Sequence, residues 1–223
     1  MKHLGITFFL TLLIAIFMCA PTSSEACIGQ DDLNCNCENE LSCMDTICIA
    51  GTYYPITINY CLQTPVNNTY IMNPCASPPC SNPLDAVTWI KSICIPIGLQ
   101  TTPIKDIYNA ILCKINLCDT ACLVGGGANI PTCNPGPDCN STLTGVYCHV
   151  VSFPNCVQLT GGCIVPCNAN NCQQYCFAWW QYCRNGSNCY SCPISICSGS
   201  DHNCGGNCIT FDCSDLSFTS CCP

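Results

Sequence analysis

Cysteine constrains this chain more than any other residue: it fills 30 of 223 positions, and all but Cys19 follow Ala26. That density marks a disulfide scaffold. Sulfurs at such density pair in an oxidising compartment, and each bridge stabilises by about 2–4 kcal/mol, mainly by restricting the unfolded chain. Order along the chain does not give the pairing. With Cys19 removed the count is odd, which leaves one thiol free or bonded between chains. Cys221 and Cys222, adjacent and near the end of the sequence, are the expected outliers, because neighbouring cysteines rarely bridge each other.

The first residues fit that compartment. Basic Met1-Lys2-His3 precedes an apolar run from Leu4 to Ala20, and Ser24-Glu25-Ala26 has small residues where signal peptidase needs them. We read residues 1–26 as a secretory signal peptide cleaved before Cys27. No later apolar run reaches spanning length, since the run from Trp89 to Leu99 is broken by Lys91 and Pro96. The expected location is secreted and extracellular, with no membrane span. Three Asn-x-Ser/Thr sequons, at Asn67, Asn140 and Asn185, are expected to carry glycans. Five Lys and Arg stand against 13 Asp and Glu, a formal net charge of −8, so nucleic acid and anionic membrane surfaces are repelled.

Two proline-rich stretches punctuate the chain, Asn73–Pro83 and Pro131–Cys139, the second preceded by Gly125-Gly126-Gly127. They predict two cysteine-stapled lobes, residues 27–130 and 131–223. Thr102-Pro103 opens a predicted helix with threonine as N-cap, and Ile104, Ile107, Ile111 and Leu112 form its apolar face. Tyr54–Gln63 alternates as a strand does, and Tyr147–Phe153 does so less cleanly. The spacing C-x4-C-x3-C at Cys113, Cys118 and Cys122 recurs at Cys167, Cys172 and Cys176, running into Phe177-Ala178-Trp179-Trp180. Cysteines four apart share one side of a helix, which predicts a second stapled helix and a diverged internal repeat. The expected fold is a small disulfide-rich α+β protein.

Chemistry-bearing patterns are few. Cys189-Tyr190-Ser191-Cys192 is a lone C-x2-C, and the histidines after residue 26 are His149 and His202. A structural zinc site needs paired knuckles, so these cysteines are read as half-cystines, with no metal and no cofactor. His149 lies beside Cys148, but no Gly-x-Ser-x-Gly accompanies it. Tyr175, Trp179, Trp180 and Tyr182 are either core or a patch for a sugar or protein partner.

Cys35-x-Cys37-x2-Glu40-x2-Cys43 is similar to the C-x-C-x2-E-x2-C stretch of invertebrate-type (destabilase) lysozymes. Ile47-Cys48, Gly51-Thr52-Tyr53-Tyr54-Pro55-Ile56-Thr57-Ile58-Asn59-Tyr60, Trp89, and Cys113, Leu117, Cys118, Cys122 and Leu123 resemble that family's later features. The likeness covers about residues 35–124. It implies Glu40 as general acid, a role that requires Tyr53, Tyr54 or Trp89 to shield it. The family places its second carboxylate between the next cysteine and the Gly-aromatic strand. Here only Ile49 and Ala50 separate Cys48 from Gly51, and the family's His-Asn-Gly-Gly-Pro stretch is absent. Glu38 is poorly placed, so Asp45 is the remaining partner, provided that the segment Cys43–Cys48 folds back.

Two functions follow. The leading one is non-catalytic, an extracellular binding or structural protein with a carbohydrate or protein partner, binding through Tyr53, Tyr54, Trp89, Trp179 and Trp180. The alternative is a lysozyme-like glycoside hydrolase using Glu40 and Asp45.

Overall fold

A computed structural model describes residues 40–63, 86–117, 147–169, 171, 174–185, 188–199 and 203–219. In chain order these form β1 (Glu40–Ile49), β2 (Thr52–Gln63), β3 (Ala86–Cys94), α1 (Ile104–Asn116), β4 (Tyr147–Pro154), β5 (Cys156–Thr160), β6 (Cys163–Pro166), β7 (Tyr175–Asn185), β8 (Asn188–Ser198) and β9 (Ile209–Thr210). Single 3-10 turns lie at Ile97–Leu99 and Cys213–Asp215.

The strands form one nine-stranded sheet that forks at β3. One edge of β3 pairs with β2 from Val87 to Cys94, and β2 pairs in turn with β1. The other edge is divided: Ala86–Trp89 runs parallel to β4, whereas Ile93 and Cys94 pair antiparallel with β6. One branch continues through β4, β7 and β8, the other through β6, β5 and β9. Lys91 marks the division. Asn59 pairs with Ser92 and Tyr60 with Ile90, so Lys91 is the extra residue of a β-bulge, which bends its strand and sharpens the twist. The chain changes branches at buried Asn155, between β4 and β5, where its backbone N–H donates to Gln174 O and its carbonyl accepts from Phe211 N.

Parallel strands need a long crossover, and α1 lies within the one joining β3 to β4. Its apolar residues recur at three and four, and Ile107, Tyr108, Ile111, Leu112 and Ile115 are buried. Asp106 in the first turn and Lys114 in the last complement the helix dipole. The predicted helix is therefore present, with Pro103 rather than Thr102 at the N-cap. It packs on one face of the sheet, against Ile47, Ile56, Ile58, Tyr60, Ile90, Ile93, Phe153 and Trp180. The C-terminal segment joins this layer: Phe211 meets Tyr108 edge-on at 5.3 Å and Phe218 meets Trp180 at 5.1 Å. Asn109 Oδ1 accepts from Ser217 N at 2.8 Å.

The opposite face has its own buried cluster, built mainly on β3, β4, β7 and β8 and joined by Cys61 of β2: Val87, Trp89, Val150, Phe177 and Trp179 are among its members. Because β7 lies between two strands and is buried on both faces, its sequence carries no polar alternation.

Two expectations are corrected here. The segment running into Trp179-Trp180 is strand β7, not a stapled helix, and the described residues are mainly sheet rather than balanced α+β. Residues four apart share a side in a strand as well as in a helix, so the cysteine spacing could not separate the two. The boundary near residue 130 does not divide the sheet, since β3 is hydrogen-bonded to both β4 and β6.

Every cysteine among the described residues is disulfide-bonded. Cys94–Cys163 ties β3 to β6 at paired positions, joining the two halves of the chain. Cys156–Cys204, Cys167–Cys208 and Cys176–Cys213 fasten the C-terminal segment to the sheet. Cys189 and Cys192 are likewise in disulfides, and no group of potential metal ligands occurs among the described residues. None of the described helices is long and apolar enough to cross a membrane.

Candidate binding surface

Glu40 is the first residue of strand β1, and the segment Cys43–Cys48 runs on within that strand rather than folding back. Glu40 pairs with Cys61, whose side chain belongs to the cluster opposite α1, whereas Asp45 pairs with Ile56, which lies under α1. The two carboxylates therefore project from opposite faces. At about 3.4 Å per residue they are also about 17 Å apart along the strand. Asp45 is otherwise engaged, ion-paired with Lys114 of α1 and accepting from Thr46 N at 2.7 Å. It fastens the helix end to the edge strand.

The link between β1 and β2 is the two-residue turn Ala50-Gly51, with φ of +49° and +79°. Positive φ at both positions matches the twist of a tight hairpin. It leaves no segment on which a further carboxylate could stand between these strands.

The structure separates the aromatic candidates. Trp89 is buried, donates its indole N–H to Gln63 Oε1 at 2.8 Å, and meets Tyr175 and Phe177 edge-on at 5.4 and 5.9 Å. Trp179 and Trp180 are buried on opposite faces of β7. These three tryptophans are core, and the expectation that they form a binding patch is corrected. Tyr54 is half-buried against the helix-side cluster. Tyr53, in contrast, is 66% exposed.

Tyr53 shares its face of the sheet with other exposed residues of β1 and β2. On the face opposite α1, strand alternation directs Glu40, Ser42, Met44, Thr46 and the disulfide-bonded Cys48 of β1 to the same side as Tyr53, Pro55, Thr57 and Asn59 of β2. Asn59 Nδ2 donates to Ser92 Oγ on β3 at 2.8 Å, fixing two polar side chains on it. At its inner margin the bulged Lys91 is half-buried. Desolvation lowers its pKa from the usual lysine range, and the charge of Glu40 opposes that shift. The side chains of this surface are mainly polar, with Glu40 and Lys91 as its charges and with one exposed tyrosine and one exposed methionine among the described residues.

Met44, Thr57, Asn59, Lys91 and Ser92 were missed as surface residues in the sequence. The alternation of Thr57 and Asn59 with Ile56, Ile58 and Tyr60 was the available signal. Asn185 closes β7 at its hairpin with β8. Asn67, Asn140, His202, Cys221, Cys222 and the signal segment lie outside the described residues.

His149, the other histidine weighed, is fully buried on the helix side beside Trp180 and Tyr182, with Nε2 2.8 Å from Thr88 Oγ1. Burial lowers its pKa from 6.5 to about 3, so it is a neutral core residue at ordinary pH.

No family model, curated protein or solved structure matches the chain.

Proposed function

We propose that the chain is a secreted, glycosylated, non-catalytic protein that binds a carbohydrate or protein partner outside the cell. The exposed β1–β2 surface bearing Tyr53 is the binding face in this reading. One observation carries it: Glu40 and Asp45 stand on opposite faces of one strand. Glycoside hydrolysis ordinarily needs two carboxyl groups about 5–5.5 Å or about 6.5–9.5 Å apart across the scissile bond, and a strand separation of about 17 Å on opposite faces meets neither. Glu40 is also exposed, whereas a carboxyl that stays protonated near neutral pH needs a dry pocket. The likeness to invertebrate-type lysozymes is, in this reading, one of sequence around residues 35–124 without the pair of carboxylates that the chemistry needs. The disulfide density supports an extracellular location.

The test uses purified disulfide-bonded protein on chitooligosaccharides and bacterial cell walls, beside Glu40→Gln. The expected result is no cleavage by either protein, with any ligand binding weakened in Tyr53→Ala. Cleavage by the wild-type chain that disappears in Glu40→Gln would establish the glycosidase instead.

A further inference from the structure

A disulfide exchanges with an outside thiol when its sulfurs can be reached and when the fold leaves the bond little freedom to relax. Four bonds have both cysteines among the described residues: Cys94–Cys163, Cys156–Cys204, Cys167–Cys208 and Cys176–Cys213. Cys156, Cys176 and Cys213 are buried, which leaves Cys94–Cys163 and Cys167–Cys208 with both ends partly exposed.

The sheet treats those two bonds differently. Cys94 and Cys163 stand directly opposite each other on β3 and β6. At the next position Ile95 N donates to Gly162 O, so the alternation of an antiparallel ladder makes Cys94 and Cys163 a pair without backbone hydrogen bonds between them. Strands hold the Cα atoms of such a pair about 4.5 Å apart, at the short end of the span of about 4.4–6.8 Å that disulfides use. The ladder therefore fixes both ends of this bond. Cys167 and Cys208 lie outside the strands, and no ladder pairs them.

Little else joins β3 to β6. Ile93 and Cys94 are the residues of β3 that pair with β6. Strand β6 is otherwise held by β5, and Cys156–Cys204 and Cys167–Cys208 tie this branch to the C-terminal segment, not to β3.

We propose that Cys94–Cys163 is a redox switch: a dithiol reductant opens it ahead of the other three bonds, and β6 then loosens from β3 while the rest of the sheet holds. A thiolate of the reductant attacks one sulfur and expels the other as a thiolate, which takes up a proton. The reductant's second thiol gives up its proton, displaces the remaining protein sulfur and closes its own disulfide. Two electrons and two protons pass to the cysteines, and the dithiol is oxidised.

A limiting amount of dithiothreitol on the native, oxidised chain tests this. Samples are quenched with N-ethylmaleimide, and the label at each cysteine is read by mass spectrometry. Cys94 and Cys163 are expected to take label together, at least about tenfold faster than Cys176 and Cys213, which react only when the core opens. They also precede Cys167 and Cys208, the control for access alone. In Cys94→Ser with Cys163→Ser, the amides of Ile95 and Ile164 exchange faster, and those of β4 and β7 keep their rates. Label at any of the other three bonds as early as at Cys94 and Cys163 overturns the proposal, as does unchanged exchange at Ile95 and Ile164. Should that variant fail to fold, wild-type chain alkylated at Cys94 and Cys163 after partial reduction supplies the exchange pattern.

Discussion

Removing a disulfide from this sheet should cost stability according to where its sulfurs sit more than to the loop it closes. Cys94–Cys163 closes 69 residues and Cys176–Cys213 closes 37. On the loop-closure relation each is worth about 4 kcal/mol in an otherwise unlinked chain, and the longer loop leads by only about 0.5 kcal/mol. Other crosslinks shorten both effective loops and reduce both values. Packing separates the pair: Cys176 and Cys213 are buried within the helix-side cluster, while Cys94 and Cys163 are partly exposed. Replacing both partners by alanine avoids a stray thiol, and deleting two buried sulfurs adds about 1 kcal/mol each in lost contacts and cavity. Cys176→Ala with Cys213→Ala is therefore expected to be about 1–2 kcal/mol less stable than Cys94→Ala with Cys163→Ala. The assay is guanidinium unfolding with the remaining disulfides intact, followed by the fluorescence of Trp89, Trp179 and Trp180, all buried in the native state. An equal or larger loss in the Cys94/Cys163 variant would show that chain restriction, not burial, sets these bonds' contributions.

Two further outcomes follow from other sites. The folded chain refuses a proton at His149 until about pH 3, whereas the unfolded chain accepts one near 6.5, so stability is fully present above that range. It falls as pH drops through this window, by about 1.4 kcal/mol per pH unit from this group. Denaturant unfolding between pH 7 and 3 should show that slope flattened in His149→Gln, and parallel profiles would contradict it. At the β1–β2 turn, Ala50 sits at φ +49°, where asparagine is more at ease. Ala50→Asn should raise stability by about 0.5–1 kcal/mol in the same unfolding measurement, and a loss there would argue against the tight two-residue turn.

Parts of this architecture were legible because local chemistry and tertiary packing agree. Thr102-Pro103 and the spacing of Ile104, Ile107 and Ile111 place α1, and the alternation of Ile56, Ile58 and Tyr60 places β2. Strand β7 was not legible from its cysteine spacing, and burial on both faces erased its alternation. Its aromatic residues, Tyr175, Phe177, Trp179 and Trp180, were the better guide, since such side chains favour strands. Glu40 illustrates a different limit. A motif of cysteines and one glutamate resembles an acid site, but only the pairing of β1 with β2 shows that Asp45 faces the other way. The fork was beyond reach, because nothing local tells β3 to accept different neighbours at its two ends.

That junction leaves the molecule without a seam. A backbone cut anywhere between α1 and β4 would free neither piece, since the hydrogen bonds of β3 and the Cys94–Cys163 bond both span the break. The two halves of the polypeptide are thus not exchangeable modules: each lends strands to a fabric that the other must finish.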